Sequence, residues 1–305
     1  MALVFWHGVD WEIIAAFTLL WELVYQVNKR IMRRYASQND KVAKLGASYL
    51  TAFENAVVCS VAGCYITWSL YDADETARAV LLGELWSTEA TFFAARSFLG
   101  WLFMDLVHLV THWPKLGTWD TLLHHAGFAC LTLLGYGYRV LPFTVGWLLL
   151  GEISTLFLNA RWFLINTGRG ESFAMKATNY SFALTFFTFR IVVLWLGLED
   201  LLVNLRPLLL ARPYHAPAWS INIICFFVTG SALLNAFWMQ KILKMAGKGA
   251  SDKAAAGSPP RTPNAGPELP LFAPSPASVS RRVGSAEALS DVFPPFNPHS
   301  ALPAV

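Results

Sequence analysis

The sequence has few charged residues, which sets it apart from soluble and nucleic-acid-binding proteins. Only 14% of its 305 residues are charged and 55% are hydrophobic, whereas an average soluble domain is about 25% charged. The net charge of +3 comes without a long basic stripe interleaved with aromatic residues, so no nucleic-acid partner is expected. This composition predicts an all-α polytopic membrane protein.

The four cysteines form no pattern that would indicate disulfides or a metal site. They lie in apolar segments without a CxxC pair and are interpreted as small packing residues: Cys59, Cys64, Cys130 and Cys225. The first ten residues also lack the basic region of a secretory signal, and no convincing cleavage site follows the first apolar run. We therefore expect neither a disulfide framework nor a zinc site.

Seven apolar runs are long enough to span a membrane, and the charges between them alternate consistently. The runs are 9–27, 48–71, 92–113, 121–138, 143–162, 179–202 and 219–239. By the positive-inside rule, the basic loop at 28–44 and the lysines at 241–248 place these segments and the C-terminus in the cytosol. Because Glu12 and Glu22 weaken the first run, a six-span arrangement with a peripheral first run is the alternative. Glu22 lies either against another helix or at the membrane interface.

Composition divides the chain into three regions. Residues 1–45 are predicted to form an N-terminal transmembrane helix and a basic cytosolic loop, and residues 46–246 a helical membrane domain. The proline-rich segment at 205–219 is expected to be a lumenal loop. Residues 247–305 are rich in Gly, Ala, Ser and Pro, cannot bury enough apolar surface to order, and are predicted to be a disordered cytosolic tail.

Ionisable side chains concentrate in three consecutive runs between residues 100 and 162. Those of the first of these runs are spaced three and four apart and share one helix face. Ionisable groups at bilayer depth are costly and normally face a protein interior or a wet cavity, so the cluster predicts a functional site in a cavity open to the cytosol. Its members are Asp105, His108, His112, His124, His125 and Glu152.

A further ionisable residue, Arg190, lies near the centre of the sixth run and requires a partner or water. Glu152 is the expected partner, and backbone carbonyl groups are the alternative. An imidazole beside a carboxylate suits proton transfer near neutral pH, and apolar walls suit an amphipathic lipid. The structural alternative is that the histidines are hydrogen-bonded packing residues and that Asp105 merely accepts a hydrogen bond.

Four motifs together resemble the TLC domain family of membrane proteins. They are GWLFMDLV at 100–107, LLHHAGF at 122–128, GEISTLFLNARWF at 151–163 and FFTFRI at 186–191. The resemblance extends over about 48–244 and is nearest to the subgroup of TLC domain-containing protein 4-like proteins. It implies a six-helix barrel around a lipid-accessible cavity, here preceded by an N-terminal helix. It also implies a role in lipid homeostasis in the endoplasmic reticulum or another endomembrane.

The ceramide synthases are distant relatives in this family and join a fatty acyl-CoA to a sphingoid amine. Their histidine pair matches His124 and His125. Their two aspartates and one glutamate align with Glu152, Thr155 and Asn159, and the loss of two carboxylates argues against ceramide synthesis itself. The cluster and the resemblance predict catalytic roles for His124, His125, Asp105 and Glu152, and substrate contacts by His108, His112, Asn159 and Arg190.

The expected function is to bind or modify an acyl lipid in an intramembrane cavity, with membrane lipids as partners. One alternative is an N-acyltransferase with acyl-CoA as co-substrate and His124 or His125 as base or nucleophile. Another is a non-catalytic lipid sensor, carrier or cargo adaptor. A di-iron hydroxylase, suggested by the HxxxH at 108–112, is disfavoured because no histidine occurs between residues 126 and 214. We expect no bound metal or other cofactor.

Overall fold

The protein is almost entirely helical over the residues that the computed structural model describes, which are 8–81, 86–113, 116, 118–211 and 216–256. Apart from turns and short connections, the described residues outside helices include an isolated antiparallel bridge between Val80 and Val140 and no strand. The helices are α1 Trp11–Tyr35, α2 Asp40–Leu70, α3 Glu75–Ala79, α4 Trp86–Thr111, α5 Trp119–Gly137, α6 Pro142–Leu150, α7 Glu152–Asn166, α8 Phe173–Ala211 and α9 Ala218–Ala256. The predicted all-α fold class is confirmed.

The long helices form a ring around a common interior. Helix α2 packs against α4, α4 against α5, α5 against α9, α9 against α8, and α8 against α7. Helices α6 and α7, which are joined at Gly151, return to α2 and close the ring. Helix α1 lies outside and packs against α2 and α4. This arrangement agrees with the expected six-helix barrel and additional N-terminal helix.

Five helices among the described residues are long and apolar enough to cross a membrane. They are Asp40–Leu70, Thr88–Thr111, Pro142–Asn166, Phe173–Ala211 and Ala218–Lys244. Helices α1 and α5 coincide with the first and fourth predicted spans, but their acidic, basic and histidine side chains make them more polar. The protein is therefore a multi-pass membrane protein, while the predicted count of seven spans is not confirmed.

Polar caps and short connections set the helix ends. The Asn39 side chain accepts a hydrogen bond from the Val42 N–H at the start of α2, and Ser172 does the same for Met175 in α8. The connection between α1 and α2 is only residues 36–39, so the predicted basic loop at 28–44 is mostly helical. Lys and Arg are good helix formers, and both helices continue through the basic stretch. We call the end of the ring at which α1 ends and α2 begins, around residues 28–44, the basic end.

Helix α8 also continues beyond its predicted boundary, to Ala211, so the predicted loop at 205–219 is helical over its first seven residues. Pro207 has no N–H for a helical hydrogen bond, and the turn before it widens. There the Arg206 N–H bonds the Leu201 carbonyl group five residues back, in a π-helical stretch at Leu201–Leu205. Residues 212–215 and the predicted tail at 257–305 lie outside the described residues, whereas 247–256 extend α9.

The end of the ring opposite the basic end is closed by the turn between α5 and α6. Arg139 and Leu141 adopt left-handed backbone conformations there, with φ of 55° and 63°. The turn pairs with residues 79–81: the Leu141 N–H donates to the Ala79 carbonyl group at 2.7 Å, and the Leu81 N–H donates to that of Arg139 at 3.0 Å. Val140 and Leu141 are buried beneath this pairing and close the interior at the opposite end.

Candidate functional site

An apolar pocket lies inside the ring, in the half nearer the opposite end. Its empty volume, open mouth included, is about 550 Å³. Helices α4, α5, α6 and α9 line it with aliphatic and aromatic side chains, among them Ala95, Phe98, Phe128 and Leu148. Glu152 is the ionisable member of this lining. The pocket therefore has apolar walls and one charged end.

The charged end is built by Glu152 and Arg190. The Arg190 Nη2 donates to Glu152 Oε1 at 3.0 Å and to Thr155 Oγ1 at 3.0 Å, while its Nε donates to Ser154 Oγ at 2.8 Å and to the Gly151 carbonyl oxygen at 3.0 Å. The Arg190 and Glu152 side chains are only 13% and 21% exposed. The expected ion pair is therefore present, and so is the alternative partner, a backbone carbonyl group.

Arg190 belongs to a π-helical stretch of α8, Phe186–Val193. π-Helical turns are uncommon and occur frequently at functional sites, because the wider turn redirects side chains. The hydroxyl partners of Arg190, Ser154 and Thr155, were missed by sequence reasoning, because nothing local in EISTLF distinguishes an inward-facing hydroxyl from a packing residue. The four hydrogen bonds fix the guanidinium beside the pocket.

Asp105 and His125 form a second pair, between α4 and α5. His125 Nδ1 lies 2.7 Å from Asp105 Oδ2, and the two side chains are 17% and 21% exposed. The two atoms are within hydrogen-bond distance, although the contact does not have hydrogen-bond geometry. A carboxylate beside Nδ1 favours the tautomer with its proton on that nitrogen and leaves the lone pair on Nε2. His125 Nε2 is therefore the nitrogen that can take up a proton.

His124 lies among aromatic rings on the other side of the pocket wall. Its ring centroid is 4.7 Å from that of Phe128, 5.8 Å from that of His125 and 6.1 Å from that of Trp238. Arg190 is close enough for its charge to act on the His124 imidazole. Phe128 lines the pocket, whereas His124 is not one of the lining residues.

The structure thus brings the predicted residues together unevenly. Of the eight residues predicted for the site, Glu152 lines the pocket, whereas His124, His125 and Asp105 are not among its lining residues. Asn159 is buried on α7 with its Nδ2 atom lacking a hydrogen-bond partner among the described residues. His112 is exposed at the end of α4, where its Nδ1 lies 3.1 Å from the His108 carbonyl oxygen. His112 is therefore far from the pocket end of the site.

His108 has a partner that sequence reasoning did not assign to it. Its Nε2 lies 2.7 Å from Glu22 Oε2 on α1, and its ring centroid is 4.2 Å from that of Tyr25. Glu22 therefore lies against another helix, which was one of its two expected positions. In the described part of the chain, no three His, Cys, Asp or Glu side chains are grouped as metal ligands.

Comparison with known proteins gives relatives at low identity. TLC domain-containing protein 4-B of Danio rerio is 29% identical over 153 residues, which cover 48% of this chain and 54% of that protein. TLC domain-containing protein 4-B of Xenopus laevis is 27% identical over 151 residues, with 48% and 55% covered. TLC domain-containing protein 4 A of Dictyostelium discoideum is 21% identical over 238 residues, with 75% and 86% covered.

The chain spans about half the length of the two vertebrate relatives it matches. No solved structure matches it. The family model of the TLC domain matches residues 50–244, which is nearly two-thirds of the chain and contains the pocket and both ion pairs beside it. The ring of helices, the sequence motifs and the family-model match agree with one another. The chain belongs to the TLC domain family of membrane proteins.

Proposed function

We propose that this protein acts in lipid homeostasis by binding an acyl lipid inside the helical ring. The acyl chain occupies the apolar pocket, and the polar head lies at the Glu152–Arg190 pair. One observation carries the proposal: as far as the described residues line it, the pocket has apolar walls and a single ionisable side chain, at one end. This distribution fits an amphipathic ligand with one chain and one polar head.

The head contacts decide the affinity, because a membrane already offers the chain an apolar environment. Moving a chain from lipid tails to an apolar pocket gains little hydrophobic free energy. A hydrogen bond to a charged side chain contributes about 1.5–3 kcal/mol. Arg190 and Glu152 therefore select ligands by the head group, while the pocket selects by chain shape.

Filling the pocket tests this proposal. Ala95 is 2% exposed and lines the pocket, whereas Val107 on the same helix is 61% exposed on the outer surface. We expect Ala95→Phe to lose the lipid that copurifies with wild type in mild detergent, measured by native mass spectrometry. Val107→Phe is the matched control and retains it. Leu148→Trp repeats the test from α6 if Ala95→Phe does not fold, and a folded variant that retains the lipid contradicts the proposal.

A second candidate function, acyl transfer from acyl-CoA, is favoured by the Asp105–His125 contact. His125 Nε2 would take the proton of an attacking amine or hydroxyl while the acyl carbon forms its new bond and the thioester C–S bond breaks. The coenzyme A thiolate then takes that proton, and Asp105 balances the imidazolium in between. Basic side chains of α1 lie at the same end and would attract the coenzyme A phosphates.

A transfer assay distinguishes this candidate from a non-catalytic sensor, carrier or cargo adaptor. We expect membranes containing wild type to transfer a labelled acyl group from acyl-CoA, and His125→Ala to abolish the transfer while leaving the copurified lipid in place. Equal turnover in wild type and His125→Ala excludes the proposed base. Bound lipid without turnover in wild type supports the non-catalytic function.

We infer that the protein resides in the endoplasmic reticulum or another endomembrane with its C-terminus in the cytosol. The basic residues at the ends of α1 and α9 support this orientation through the positive-inside rule. A C-terminal tag accessible to protease in cells with a selectively permeabilised plasma membrane is the expected result. Protection of the tag contradicts the orientation.

A further inference from the structure

The strongest feature outside the pocket is the pair formed by Glu22 and His108, where α1 meets α2 and α4. Glu22 Oε2 lies 2.7 Å from His108 Nε2 with hydrogen-bond geometry, and the Tyr25 ring packs against the imidazole at a tilt of 41°, with 4.2 Å between the ring centroids. The Glu22 carboxylate also accepts a hydrogen bond from Gln26 at 2.6 Å. Glu22 and Tyr25 lie outside the residues matched by the family model, so this pair is partly built by the N-terminal helix.

The carboxylate determines which His108 nitrogen is available. A carboxylate can only accept a hydrogen bond, so the neutral imidazole carries its proton on Nε2 and its lone pair on Nδ1. His108 Nδ1 is buried and has no hydrogen-bond partner among the described residues. Leaving such a buried acceptor unsatisfied is unfavourable. The imidazole is thus held by one nitrogen while its other nitrogen is unused.

We propose that His108 Nδ1, oriented by Glu22, is a second ligand site that accepts a hydrogen bond from a hydroxyl or amine group of a lipid. The site is separate from the Glu152–Arg190 end of the pocket. His108 follows Phe98, which lines the pocket, by ten residues of α4 and is therefore about 15 Å nearer the basic end.

Asp105 and His125 lie next to this site. Asp105 is three residues before His108 on α4, and its charge reaches Tyr25. A donor group bound at His108 is thus held close to the Asp105–His125 contact. The inference rests on the lipid binding proposed above, to which it adds a preference for a donor-bearing head group and a contribution from α1.

A matched ligand pair tests the inference. Oleyl alcohol has a hydroxyl donor, and oleyl methyl ether has the same chain without one. We measure the concentration of each at half-maximal thermal stabilisation of the full chain in detergent. In wild type we expect a threefold to tenfold preference for the alcohol, on the order of one hydrogen bond.

Four variants locate the donor contact. His108→Phe keeps a ring against Tyr25 but removes the acceptor, so we expect equal midpoints for the two ligands. His108→Asn places an amide oxygen near the position of Nδ1 and restores the preference, which a purely structural role would not do. Glu22→Leu reduces the preference because the tautomer is no longer fixed. Val110→Phe, at a position of α4 that is 61% exposed, is the control and keeps it.

The outcomes separate this inference from the function on which it rests. If wild type binds neither ligand, the proposed lipid binding fails. If wild type binds both with equal midpoints, lipid binding stands and the His108 site is refuted. A preference that persists in His108→Phe also refutes the site and moves the donor contact to another residue.

Discussion

The ion pair between Arg190 and Glu152 gives the sharpest stability prediction. Both side chains are mostly buried, and the guanidinium donates four hydrogen bonds within 3.0 Å. Removing one partner of a buried ion pair costs about 3–5 kcal/mol, because it leaves the other charge uncompensated. The residual exposure of these side chains places Arg190→Met at the lower end, about 3 kcal/mol.

Removing both charges is expected to cost much less. In the double variant Arg190→Met with Glu152→Met no charge is left unpaired, and Ser154 keeps its own hydrogen bond to the Gly151 carbonyl oxygen at 2.9 Å. The remaining loss is that of neutral hydrogen bonds, on the order of 1 kcal/mol. The two substitutions are therefore coupled by about 2 kcal/mol or more.

The assay is thermal unfolding of the purified protein in detergent, followed by tryptophan fluorescence. At about 2–4 °C per kcal/mol, Arg190→Met lowers the melting temperature by about 6–12 °C, and the double variant recovers more than half of that loss. Arg33→Met, at an exposed position of α1, is the control and is expected to shift it by less than about 2 °C. A small effect of Arg190→Met, or additive single effects, would refute the reasoning.

Two further predictions concern the contacts of α1. A Cβ atom at Gly100 would lie 2.6 Å from Phe17 Cβ, so Gly100→Ala is expected to lower the free energy of unfolding by about 1–3 kcal/mol. A Cβ atom at Gly230 would have nothing within 4 Å, so Gly230→Ala is expected to be neutral or stabilising. The pKa of Asp10 lies below its ordinary value of 3.8, chiefly because the Tyr136 hydroxyl donates a hydrogen bond to its carboxylate. A lowered pKa stabilises the fold above pH 3.8 and ceases to do so as the pH falls through the lowered value, so the difference in melting temperature between wild type and Asp10→Asn disappears in that acid range. A difference in melting temperature that persists at acid pH contradicts the lowered pKa of Asp10. A Gly100→Ala variant as stable as Gly230→Ala contradicts the close contact of Gly100 with Phe17.

Helix positions were predictable from the sequence because hydropathy is a local signal that needs no knowledge of neighbours. The ends of the helices were less predictable than their positions. Helix α8 begins at Phe173, before its predicted start, and continues through Pro207, where hydropathy falls but helical hydrogen bonding continues. The basic stretch after Val27 is likewise helical because helix propensity, not hydropathy, decides its backbone. Hydropathy therefore located the apolar core of each helix and underestimated its length.

Contacts in the site were predictable from the sequence where they involve residues on one helix face or a buried charge that requires a partner. Arg190 and Glu152 were paired correctly because each buried charge requires an opposite one. The contact of Glu22 with His108, and the packing of His124 against Phe128, depend on how neighbouring helices are rotated about their own axes. No spacing within a single helix encodes that rotation, so these features emerged only from the packed ring.

The central claim is that an acyl chain occupies the pocket between α4, α5 and α6. It is tested most directly by photolabelling with a fatty acid that carries a diazirine near its methyl end, followed by peptide mass spectrometry. The account predicts label on pocket residues such as Leu131 and Leu148, and its loss in Ala95→Phe. Label confined to outward residues such as Val107 and Val110, unchanged by Ala95→Phe, would contradict it.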